Sequence, residues 1–86
     1  MSHDAQSLPV PGRVTPRLAQ IWSLVALGYS NAAIAEQLQL SQKWTDNAVS
    51  KLYGVLEIDT TDHARNPRVQ AALMYLEYWE RLLQGE

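Results

Sequence analysis

The chain reads as an all-α fold on three features. Apolar residues recur at helical spacing in successive segments, and Ser, Thr or Asn stands just before each segment as an N-cap. Proline opens two of the segments, and Gly28 ends one. At 86 residues there is room for one domain, whose core is marginal without a partner. Hydrophobic residues make up 47%, too many for a disordered chain. The expected organisation is an extended N-terminal arm over residues 1–13, a single helical domain over 14–86, and a long C-terminal helix over 67–84.

The arm, Met1 to Arg13, is polar and carries Pro9, Pro11 and Gly12, so it reads as a loose tail. Thr15 caps the first helix, and Pro16 fits its first turn, where a missing N–H costs nothing. Ala19, Ile21, Trp22, Leu24 and Val25 supply the apolar side, and Gly28 supplies a left-handed stop. Ser30 caps a second, short helix with Ala33, Ile34, Ala35 and Leu38 on its apolar side. Leu40 stands in the following turn, placed to plug the space between two helices. Ser41 caps the third helix, in which Thr45, Ala48, Val49, Leu52 and Leu56 share one side. Lys43, Asp46, Asn47, Ser50 and Lys51 lie away from that side. A small helix joined by a tight turn to a longer one with a polar outer face is the helix-turn-helix arrangement.

Residues 57–66, EIDTTDHARN, form an acidic turn region. Its acids and His63 raise the question of a metal site, but their spacing matches no recognised ligand set, and a solvated loop is expected. Asn66 caps and Pro67 opens the last helix. Val69, Ala72, Leu73, Leu76, Trp79 and Leu83 form one apolar stripe, sufficient to seat this helix on the core. Ala71, Met74, Tyr75, Tyr78 and Leu82 form a second stripe on another side, and only Gln70, Glu77, Arg81 and Gln84 make a clear polar strip. A helix apolar over most of its circumference is buried on more than one side. A chain this short has no second core, so the second stripe is expected at a contact between two copies. The competing reading is that the arm wraps it.

Composition narrows the function. With no cysteine there is neither a disulfide nor a thiolate metal site. No apolar run approaches the roughly 18 residues of a membrane span, and no signal-peptide core begins the chain, so a cytoplasmic protein is expected. His3 and His63 fall in tail and loop, and no phosphate loop or nucleophile motif occurs; no catalytic residue, cofactor or metal is expected. Seven basic residues against nine acidic give a net charge of −2. That counts against nucleic-acid binding, where phosphate neutralisation supplies most of the non-specific affinity.

The residues from Val14 to Ile58 nonetheless carry a resemblance. They resemble the DNA-binding domain of LuxR-type (GerE-like) bacterial transcription regulators, whose pattern is roughly LTPRE, LVAxGxSNxEIAxxLxIS and TVKxHVSxIxxKLGV. Thr15-Pro16-Arg17, Leu24-Val25-Ala26, Gly28, Ser30-Asn31, Ile34-Ala35, Leu38, Ser41, Val49-Ser50 and Leu56 match in register, without a gap, over about half the chain. The resemblance implies a four-helix LuxR-type domain with residues 14–58 as the family core and 67–84 as a dimerisation helix. The expected dimer contact is Ala71, Met74, Tyr75, Tyr78 and Leu82.

The resemblance also places base-reading positions on Asp46, Asn47 and Ser50. Asn47 can pair with adenine through its amide, and Ser50 makes a less selective contact. Asp46 can accept from cytosine N4, yet it repels phosphates. The family's Glu, Thr and His fall on Leu18, Trp44 and Ala48, so a polar anchor and two backbone contacts are changed. Leu18 is either packed or part of an interface. Lys43, Lys51 and Arg17 are the cations near the expected DNA side, and backbone N–H groups at Ser30 and Asn31 can hold a phosphate. Trp44 either covers the turn or packs on a sugar or a partner protein.

Two functions of different class follow. One is a stand-alone, nucleoid-associated regulator that binds double-stranded DNA as a homodimer through the helix beginning at Ser41. The other is a helix-turn-helix protein-interaction module, with weak or no DNA binding, that pairs with another transcription regulator. The scaffold match favours the first; the net charge and Asp46 favour the second.

Overall fold

The computed structural model describes residues 14–84, and these form four helices and no strand. They are α1 (Pro16–Ala26), α2 (Asn31–Leu38), α3 (Gln42–Val55) and α4 (Pro67–Gln84). The extended arm expected for residues 1–13 lies outside the described residues.

Each helix starts where a side-chain oxygen meets an orphan backbone N–H. Thr15 Oγ1 accepts from the Leu18 N–H at 3.1 Å, Ser30 Oγ from Ala33 at 3.1 Å, and Ser41 Oγ from Trp44 at 3.0 Å. Asn66 Oδ1 accepts from both Arg68 at 2.8 Å and Val69 at 3.2 Å, which starts α4 at Pro67. Gly28 ends α1 with φ +95°, a value that favours glycine, while the N–H of Tyr29 reaches back to the Leu24 carbonyl at 3.1 Å. The turn between α2 and α3 covers residues 39–41. It runs through Gln39 at φ 59°, a left-handed conformation held by a non-glycine residue.

The core is organised on α1, which packs against each of the other three helices. Ile21, Ile34, Leu52 and Thr45 are fully buried, and the five positions expected to face inward, Thr45, Ala48, Val49 and Leu52 of α3 and Leu56 at its C-cap, are all buried. Thr45 is tolerated there because its hydroxyl donates to the Ser41 carbonyl at 2.9 Å. Leu18 belongs to this core, which answers whether it packs or feeds an interface, whereas Ala19 is exposed rather than inward. Ile58 anchors the loop before α4 in the same core.

α4 packs mainly on α1, and here the expectation is reversed. Ala71 is fully buried, and Met74, Tyr75 and Tyr78 pack on the core; these are residues expected at a dimer contact. Leu82 is half-exposed. Most of the stripe expected to seat the helix faces outward instead: Val69, Leu73, Leu76 and Leu83 are exposed at 54%, 60%, 63% and 82%, Trp79 is half-exposed, and only Ala72 is partly covered. The cause is Trp22. Its indole Nε1 donates to the Ala71 carbonyl at 2.9 Å, and its ring meets Tyr75 edge-on at 5.2 Å and Tyr78 at 5.6 Å. A buried indole N–H needs an acceptor, and the small Ala71 side chain lets the helix come close enough to supply one.

Candidate functional site

The outer face of α3 has two edges of different character. Lys43, Asp46, Asn47, Ser50 and Lys51 are all exposed, as the spacing of the apolar positions requires. On the edge toward α2, Asp46 is tied down. Its Oδ1 accepts from Asn31 Nδ2 at 3.0 Å and from Gln42 Nε2 at 3.0 Å. Asn31 Oδ1 in turn accepts from Arg68 Nη1 at 2.7 Å, and Arg68 Nη2 donates to the Tyr29 carbonyl. The Asn31 amide thus lies between a cation and an anion with its dipole aligned to both, which strengthens each bond. Hydrogen bonds from Asn31 first, then Gln42, hold the Asp46 carboxyl below its ordinary value. Arg68 also sits beside Tyr53, whose phenol is raised by burial and partly brought back by the guanidinium.

This chain of contacts joins the head of α2, the outer face of α3 and the first turn of α4. Of the expected site residues, Asn31 and Asp46 therefore have side chains engaged within the fold, and Ser30 has its hydroxyl in the α2 cap. Arg68 was absent from the sequence-based set of site residues. Its partner Asn31 lies 37 residues away, and no local pattern announces such a pair.

The edge toward α1 is different. Thr15, Arg17, Leu18, Trp44, Asn47, Ala48 and Lys51 line an open groove of about 330 Å³. Leu18 and Ala48 give it an apolar floor, Trp44 contributes an indole that is 46% exposed, and Arg17 and Lys51 bring positive charge. No carboxylate lines it. The groove brings together Arg17, Trp44, Asn47 and Lys51 from the expected set; Lys43 and Ser50 lie outside its lining.

A third feature is the outward row of α4. Val69, Leu73, Leu76 and Leu83 follow alternating steps of four and three residues, with Glu80 occupying the one remaining place in the row. Alternating steps of four and three keep these residues on one side of the helix.

Among the described residues no three acidic or histidine side chains are grouped to hold a metal ion. Asp59 and Asp62 instead bond their own turns, through Thr61 at 2.9 Å and Ala64 at 3.0 Å. No helix among the described residues is long and apolar enough to cross a membrane. No protein-family model matches the chain, and comparison with curated proteins and with solved structures returned no match.

Proposed function

We propose that the chain binds duplex DNA as a homodimer, in the manner of a LuxR-type helix-turn-helix regulator, with α3 entering the major groove. The observation that carries this reading is the outer row of α3. Lys43, Asn47, Ser50 and Lys51 are exposed, and none is engaged in a hydrogen bond or ion pair among the described residues. A helix that keeps four polar side chains uncommitted along one exposed row is equipped to meet base edges and phosphates. The carboxylate that would oppose this, Asp46, is held to one side by hydrogen bonds from Asn31 and Gln42, and Asn31 is itself bonded to Arg68. In this reading Asp46 shapes the face of α3 rather than reading cytosine.

The dimer contact is assigned to Val69, Leu73, Leu76 and Leu83, the row left exposed by the core. The same row favours a second reading, in which the partner is a different regulator and DNA affinity is small. Binding of labelled duplexes separates the two. Lys43→Ala is expected to weaken binding to all sequences alike, and Asn47→Ala to relax base preference at one position. Absence of binding to every selected duplex at low salt would leave only the second reading.

A further inference from the structure

Building on the DNA-binding reading, we propose that the groove between α1 and α3 is a seat for one nucleotide unit. It takes a phosphate ester that carries a sugar. The phosphate lies at the Arg17 and Lys51 rim, and the sugar packs against the Trp44 indole over the floor of Leu18 and Ala48.

Four observations carry this. The charge is one-sided: two cations and no carboxylate line the groove, in a chain whose net charge is −2. Arg17 uses Nη1 in a bond to Gln20 at 3.3 Å, which leaves most of its five N–H donors for a ligand. The floor is apolar and cannot hydrogen-bond a bare anion, so the ligand that fills the space has an apolar body beside its charge. The groove is also open along one side, as a ligand that is one unit of a polymer requires. Asn47 stands in its wall, so a phosphate held here would set the register of the neighbouring base-reading side chain.

The chemistry is shared by a unit of the duplex backbone and by a free nucleotide, and the test distinguishes them. The full chain, labelled with ¹⁵N, is titrated with a duplex of about 20 base pairs, with thymidine 5′-monophosphate and with inorganic phosphate. Trp44→Phe identifies the Trp44 indole resonance among the three tryptophans. The duplex and the mononucleotide are expected to shift the Trp44 indole and the Lys51 amide, and inorganic phosphate is expected to leave the indole in place.

In duplex binding, Lys51→Ala should lower the slope of log K on log salt by about 0.9, because one phosphate contact is lost. Trp44→Ala should weaken binding with the slope unchanged, because its contact is uncharged. Lys51 is exposed and Trp44 is half-exposed, and thermal melts of both variants check that the fold is kept. Duplex binding with both resonances unmoved overturns the groove proposal and leaves the DNA-binding reading standing. Shifts with the mononucleotide and no duplex binding do the reverse, making the groove a free-nucleotide site. An indole shift of equal size with inorganic phosphate, or no shift with any probe, overturns the proposal.

Discussion

Asp46 sits on the outer face of α3, where an uncompensated carboxylate would repel a phosphate backbone. Its bonds to Asn31 and Gln42 turn it into a strut between α2 and α3, and they favour the charged form. Because the folded carboxyl titrates below the ordinary Asp value of 3.8, its contribution to stability is present above that value. The contribution is lost as the pH falls through the lower, folded value. Asp59, held by Thr61, acts in the same direction. Thermal melts are therefore expected to fall between about pH 5 and pH 3, and Asp46→Asn should flatten part of that fall. Parent and variant melting in parallel across this range would contradict the strut. Gln39 makes a second residue-scale prediction. Its left-handed backbone costs about 1–2 kcal/mol relative to glycine. Gln39→Gly removes that strain but loosens the unfolded chain by about 0.4–1 kcal/mol. The strain is the larger quantity, so a small rise in melting temperature is expected, and a fall would contradict it.

At the level of elements, α1, α2 and α3 were legible in the sequence because their signals are local. Thr15, Ser30 and Ser41 announce helix starts within three residues of the N–H groups they cap, and Gly28 announces a stop. The inward side of α3 followed from spacing alone. α4 was legible as a helix, from Asn66 and Pro67, but not in its orientation. Both of its stripes are apolar, and the choice between them is made by Trp22, an indole 49 residues from the carbonyl it bonds. Periodicity along one segment carries no information about a partner that far away. The groove was half legible for the same reason: Arg17, Trp44, Asn47 and Lys51 stood out as residues, but only the packing of α1 on α3 makes them one site. The exposed row of α4 now carries the prediction about assembly. Leu76→Glu puts a charge into that row at a position already 63% exposed, so it should give a folded monomer. Glu80→Leu completes the row and should tighten self-association. Sedimentation at several concentrations checks both, and an unchanged mass for Leu76→Glu would remove this row from the interface.

For the whole molecule, the net charge of −2 sets the terms on which DNA could be bound. The net charge supplies no overall attraction to DNA, so under the proposed function affinity comes from the few cations on one face. Arg17 and Lys51 flank the groove, Lys43 lies nearer the start of α3, and Arg68 bonds the Asn31 amide that holds Asp46. Binding should then be weak at physiological salt and only moderately salt-dependent. The most direct measurement is the affinity of the full chain for random duplex DNA as a function of salt concentration. With Arg17, Lys43 and Lys51 contributed by both copies of a dimer, at about −0.9 for each phosphate contact, the slope of log K on log salt should lie near −5. Failure of the parent chain to bind at about 50 mM salt, under which phosphate contacts are strong, would contradict DNA binding by this face.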